Sequence, residues 1–345
     1  QIGPPLDLAS VDYYKGERAL DQLLPYMEAI FALPDFDPIE TRLLKYFLVL
    51  PLKIHDWPFL ERALGLEDQE EVSAYQQGLQ NLVRLGLVSA FETGYQIHAM
   101  IQRVLEQELT VSWSTVEPWA HWLTRNLYID GEDGTGDPAR RFSWIPYGEQ
   151  FMEIDIQAVD AAAMSILQSN LGMAYQSLYY YNEALYLLEK ALNSDLETYG
   201  LGHPKVAIRQ SNLGHLYKEL AYRAEARELF EEAHAALQNH YGPDHPKVAI
   251  SSANLGGSYQ DEGNYPAAQA LLEKALAIDL QHFGPKHPRT ARSYTNLGAL
   301  LWDADQKEAA FSRFQTAHQV FLEQLGVHHP HTQVVQSWLD RFQNR

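Results

Sequence analysis

Four asparagines, Asn170, Asn212, Asn254 and Asn296, stand 42 residues apart, and each is followed by Leu-Gly. A side-chain amide carries donors and acceptors together, so a ladder of amides at a fixed interval suits the gripping of an extended polypeptide. Covalent chemistry has no comparable basis. There is no cysteine, no Gly-x-Ser-x-Gly elbow, no His-Glu-x-x-His and no Gly-x-x-x-x-Gly-Lys-Ser/Thr phosphate loop. The run His328-His329-x-His331 has the density of a metal site. However, His329 also belongs to a His-Pro pair that recurs through the chain, and no complete ligand set accompanies it. Asp130 to Asp137 resembles a calcium loop in composition, but its carboxylates miss the alternate-position spacing and no terminal Glu falls in register. It reads as an exposed loop. The expectation is therefore binding without catalysis, with no metal and no cofactor in this chain.

The elements that position the ladder follow from the same interval. His203-Pro204, His245-Pro246, His287-Pro288 and His329-Pro330 keep the 42-residue step, as do Ala184, Ala226, Ala268 and Ala310, and Gly200, Gly242, Gly284 and Gly326. A fixed period of this size marks stacked supersecondary units. Each unit reads as two helices. Proline after histidine opens the first, where its missing N–H costs nothing, and apolar residues then recur at helical spacing. A short turn leads to a second helix that closes near the glycine. Small residues such as Gly214 and Ala226 let the two backbones approach closely.

This pattern resembles the tetratricopeptide repeat, and the 42-residue step with Gly-x-x-His-Pro resembles its kinesin light chain variety. The resemblance implies a right-handed α-solenoid over residues 161–329, four repeats long, with a capping helix in residues 330–345. It also implies that the asparagine position faces the concave groove. Carried through the repeat frame, the groove includes His215, Lys218, Gln260, Arg292 and Trp302 beside Asn170, Asn212, Asn254 and Asn296. Arg209 is a further cation on a first helix. The implied partner is a protein or peptide.

Upstream, residues 38–110 read as three helices followed by a hairpin, Leu87–Phe91 with Tyr95–His98, and a last helix from Ala99 to Leu109. This is the order of a winged helix, so the fold class is mainly all-α with one small β-hairpin. The third helix offers Glu70, Glu71 and glutamines, with Arg84 its only base. Phosphate contacts require Lys or Arg, so DNA binding is not expected. Ala63-Leu64-Gly65, Leu79-x-x-Leu82-Val83-x-x-Gly86-Leu87-Val88 and Tyr95-Gln96-Ile97-His98-Ala99-Met100 resemble the winged-helix segment of NB-ARC (STAND-type) signalling ATPases. That family carries a Met-His-Asp motif whose histidine approaches the β-phosphate of ADP. The matching triplet is Ile97-His98-Ala99, with the histidine kept and both neighbours changed. The resemblance implies that His98 senses nucleotide, with ADP or ATP held only by a longer parent. Self-association would likewise belong to that parent. The alternative is a free-standing adaptor of kinesin light chain type.

Residues 1–37 read as a linker with a helix from Ala19 to Leu33, and residues 111–160 as an irregular, tryptophan-bearing helical bridge. The 345 residues allow two or three domains. A net charge of −19 argues against nucleic acid and anionic membranes as partners. The absence of cysteine excludes disulfides and thiolate metal sites and points to a cytoplasmic location. No apolar run is long enough to span a membrane. The chain opens on Gln1 with no signal-peptide pattern, and so reads as a piece of something longer.

Overall fold

The computed structural model describes residues 36–128 and 138–343. The expected helix at Ala19–Leu33 and the acidic loop at Asp130–Asp137 lie outside the described residues. The chain forms two compact units, one running to Trp119 and taking in Glu149–Ala158, the other made of Ala120–Gly148 and Val159 onward.

In the first unit, α1 (Pro38–Val49), α2 (Trp57–Leu64) and α3 (Gln69–Arg84) precede a hairpin of β1 (Val88–Phe91) and β2 (Gly94–Ile97), then α4 (Ala99–Glu108). Helix α1 starts on a reciprocal capping box between Asp37 and Glu40. It buries Leu43, Leu44, Tyr46, Phe47, Leu48 and Val49. Its C-terminal carbonyls, which have no partner within the helix, are met by buried Gln102, whose Nε2 donates to Phe47 O at 3.2 Å and Leu48 O at 3.1 Å. Strands β1 and β2 pair antiparallel, Val88 with Ile97 and Phe91 with Gly94. Gly94 has φ +150°, and a Cβ there would lie 2.3 Å from the His55 carbonyl oxygen, so glycine is required.

The stretch read as an irregular helical bridge comes next. It holds α5 (Trp113–Leu127), a 3₁₀ segment (Pro138–Trp144) and α6 (Ile145–Glu153). Strands β3 (Val111–Ser112) and β4 (Ile156–Gln157) pair in parallel. The tryptophans here are packing groups. Trp119 is buried with its ring edge-on to Phe59, and Trp122 sits edge-on to Trp144.

The second unit contains a run of helix pairs: α7 (Ala161–Ser177) with α8 (Tyr181–Tyr199), α9 (Pro204–Glu219) with α10 (Arg223–Tyr241), α11 (Pro246–Asp261) with α12 (Tyr265–Phe283), and α13 (Pro288–Asp303) with α14 (Lys307–Leu325). Helix α15 (Pro330–Gln343) follows. Packing is between partners in a pair and between each second helix and the next first helix, and successive first helices also touch. This is a tandem helix-pair solenoid.

Three local devices repeat. The histidine before each proline is an N-cap in which Nδ1 accepts a backbone N–H, from Lys205 to His203, Lys247 to His245, Arg289 to His287 and His331 to His329. The first three of these rings also stack on Tyr199, Tyr241 and Phe283. At the close of each first helix, Tyr179, Ala221, Gly263 and Asp305 take a left-handed conformation, with φ +65°, +63°, +79° and +61°. The N–H groups of these residues and their successors return to carbonyls of the last turn, for example Tyr179 to Gln176 and Tyr180 to Tyr175, a Schellman closure. Finally, the paired helices meet at a glycine. A Cβ on Gly214 would lie 2.9 Å from the Phe230 ring, and one on Gly298 would lie 2.8 Å from Phe314.

Where residues 330–345 were expected to form a capping helix, a helix runs over Pro330–Gln343. Val335 and Leu339 are buried and Trp338 stacks on Phe314 at 5.2 Å. Val334 is 51% exposed. It occupies the frame position of Arg292, one residue from Val335, and a one-residue step on a helix turns the side chain by ~100°.

Candidate functional site

The first-helix face of the solenoid is built by α7, α9, α11 and α13. Its residues follow from helix phase. Leu213 and Gly214 turn toward α10, so Asn212 and His215 flank that contact and Lys218 lies one turn further.

The asparagine ladder is continuous but largely engaged in stacking. Asn170 is buried, and its Nδ2 donates to Thr124 O at 3.0 Å. Asn212 Nδ2 donates to Ser169 Oγ at 2.9 Å. The Asn254 side chain hydrogen-bonds His215. Asn170, Asn212 and Asn254 thus reach back to the preceding first helix or to α5, and Asn170 is buried there. Asn212, Asn254 and Asn296 remain partly exposed.

Two further groove residues are tied to acids on the next pair. Lys218 Nζ lies 2.9 Å from Asp261 Oδ2, and Gln260 Nε2 donates to Asp303 Oδ2 at 2.7 Å. The two acids share one frame position, 42 residues apart. They were not singled out from sequence, although that spacing was the available signal. Trp302 packs edge-on to Trp338 at 5.6 Å, with Lys307 over its ring. Arg209 is a different matter. It is buried, with Nε 2.9 Å from buried Asp195 and a bond to Ser165, so it takes no part in the exposed face.

The electrostatics of the face are set first by burial of its imidazoles. Burial, then Lys218 and then Arg292 push His215 down to about 4, against the opposing bond from Asn254. Burial, then His329 and then Arg292 also lower His331. Arg292 therefore acts on imidazoles of both the second repeat and the capping helix. His215 is neutral at pH 7, and the fixed positive charge comes from Lys218 and Arg292. His331 was weighed from sequence only as a metal ligand. Its ring stacks on Phe321 and its neighbour His329 is an N-cap. Among the described residues no group of three or more His, Asp or Glu could hold a metal ion, and no helix is long and apolar enough to cross a membrane.

Residues 163–237, 222–281 and 250–323 each match the family model described as tetratricopeptide repeat. These helix pairs are tetratricopeptide repeats. Their solved structural neighbours include a Podosopora anserina putative kinesin light chain with nearly identical repeats, at 22% identity over 59% of this chain and 92% of that chain, with a TM-score of 0.45. BtubC (BKLC) from P. vanneervenii is 21% identical over 74% of this chain and 91% of that chain, with a TM-score of 0.46. PlcR of Bacillus thuringiensis, in complex with the peptide PapR7 and DNA, is 15% identical over 84% and 94%, with a TM-score of 0.49. No curated protein matches the chain.

His98 lies in the other unit. It is exposed, directly after β2, and its carbonyl accepts the Gln102 N–H in the first turn of α4.

Proposed function

We propose that the tetratricopeptide repeats bind an extended, acidic segment of another protein along the first-helix face. The observation that carries this reading is the placement of positive charge. In a chain of net charge −19, Lys218 and Arg292 sit on alternate first helices with partly exposed Asn212, Asn254 and Asn296 among them. Gly257 leaves open backbone between them, where even an added Cβ would meet only Lys218 Nζ at 3.5 Å. A ligand carboxylate that displaces Asp261 from Lys218 would find a charge-assisted partner there and repulsion over the rest of the surface, which favours register. Trp302, packed edge-on to Trp338, borders the far end.

The test is titration of an aspartate- and glutamate-rich decapeptide, followed by calorimetry. Asn254→Ala should cost about 1 kcal/mol of binding, as a lost neutral hydrogen bond. Arg292→Glu should cost more. Circular dichroism must show each variant folded, because the asparagines also hold the stack. If folded Asn254→Ala, Asn296→Ala and Arg292→Glu variants all bind as the parent does, the groove reading fails.

The finer reading is that residues 38–110 are a winged helix of a STAND-type ATPase, with residues 111–160 a bridge, residues 161–329 the repeats and residues 330–345 the cap. It is supported by the element order α1–α3, hairpin, α4 and by exposed His98 at the strand end. In that reading the repeats are the cytoplasmic sensor of a nucleotide switch. In the kinesin-light-chain-type alternative they are a free adaptor. A phosphate-loop domain encoded upstream of Gln1 separates the two, and this chain alone should bind no ATP at micromolar concentration.

A further inference from the structure

We propose a second interaction surface at the turns of the first two repeats: a tyrosine patch that takes a cationic, arginine-bearing segment of a partner protein. The four repeats allow a comparison within one chain. The left-handed turn position is filled by Ala221, Gly263 and Asp305 in the later copies, but by Tyr179 in the first. Glycine adopts this conformation without strain, and Asn or Asp do so at modest cost. A tyrosine there is strained and gains only an edge contact to Tyr181. Its ring is 76% exposed, so it is not held by burial either. Strain of this kind on an exposed side chain points to a use outside the fold.

Tyr179 is not isolated. Tyr180 is 55% exposed where the third repeat has Asn264 and the fourth Gln306, and Tyr222 is 53% exposed at the same frame position in the second repeat. The rings are fixed by edge contacts to inner tyrosines: Tyr179 to Tyr181 and Tyr180 to Tyr175 at 6.1 Å each, and Tyr222 to Tyr217 at 5.9 Å. The inner tyrosines in turn engage carboxylates. Tyr181 hydrogen-bonds Glu219, and Tyr217 O–H donates to Glu189 Oε1 at 3.4 Å. Exposed Glu183 and Glu225 stand near the starts of α8 and α10. The nearby cations are Arg223, Lys190 over the Tyr186 ring, and Lys218, which is paired with Asp261 and whose carbonyl accepts the Ala221 N–H. Acids therefore outnumber bases around a set of exposed π faces. That is the composition that attracts guanidinium groups, by stacking and by charge together.

The experiment compares the chain with a Tyr179→Gly/Tyr180→Asn/Tyr222→Asn variant, which borrows the residues of the third repeat and changes no charge. The probe is a fluorescent arginine–glycine repeat peptide in 0.15 M salt. A glutamate–glycine peptide of equal length is the control. The parent chain should bind the arginine peptide and the variant should bind at least tenfold more weakly. The variant's melting temperature should be unchanged or higher, since Tyr179→Gly relieves the left-handed backbone. Equal binding by parent and variant would mean that net charge alone attracts the peptide, and would overturn the proposal. So would absence of binding to the parent. Concentration-dependent self-association of the parent that the variant loses would assign the patch to a second copy and overturn it as well.

Discussion

Replacing His215 by glutamine should make the protein's stability less sensitive to mild acid, and the size of the change follows from the imidazole's surroundings. His215 lies edge-on to Phe230 at 5.1 Å, bonds Asn254 and faces Lys218 and Arg292. Burial first, and the two cations after it, lower its value from 6.5 to about 4. The folded state thus holds this imidazole neutral where the unfolded chain would protonate it. Stability from this group is fully present above 6.5 and is lost as pH falls toward about 4. At ~1.4 kcal/mol per pH unit, the loss between pH ~6.5 and ~5 is at most about 2 kcal/mol; partial exposure of the ring makes this an upper bound. His55, His234, His245 and His331 are also lowered, chiefly by burial, and act in the same direction. Protonation also relieves the repulsion of a chain at −19, which opposes the loss. Both background effects cancel in the difference between parent and variant. The assay is the urea midpoint at half-unit pH steps, with glutamine keeping a donor for Asn254. The parent midpoint should fall relative to the variant as pH drops from 7 to 5. A constant difference would show that His215 titrates normally, and the enclosure described for it would be wrong.

Gly298→Ala should destabilise by about 1 kcal/mol, because an overpacking cost of ~1–3 kcal/mol exceeds the helix-propensity gain of ~1. The new Cβ would press on Phe314, which is itself backed by Trp338, and a raised urea midpoint would show slack in that contact. Asp279→Ala should cost about 3–5 kcal/mol, since it leaves buried Arg289 and the Ser293 hydroxyl without their carboxylate; a loss under about 1 kcal/mol by thermal unfolding would contradict the burial. Truncation before Pro330 should lower the melting temperature or cause aggregation, because it uncovers Phe314 and removes the Phe342 ring stacked on Phe311 at 4.3 Å. Unchanged melting and solubility would rule out a capping role.

The repeat architecture could be read directly from the chain because its causes are local and recur. A His-Pro start, a Leu-Gly pair, a small residue opposite and a closing glycine each act within one helix pair, and a 42-residue step repeats them in phase. The hairpin was legible for the same reason, since alternation around Glu92-Thr93-Gly94 is short-range. The N-capping role of the histidines was not, because histidine is an unusual cap and the Nδ1 geometry appears only once the ring is held against Tyr199, Tyr241 or Phe283.

What the sequence determined by itself, then, is the period, the helix pairs and which residues share the first-helix face. Only the tertiary structure decided which of those residues are open. Asn170 and Asn254 are identical in the repeat frame, yet one is enclosed against Thr124 and the other borders the exposed face beside His215. Arg209 and Arg292 are both cations on first helices, but Asp195 on α8 draws the first into the interior while the second acts on His215 and His331. A repeat frame records position along one helix. Whether a polar group is free depends on what the neighbouring helix, dozens of residues away, places within the ~3 Å reach of a hydrogen bond.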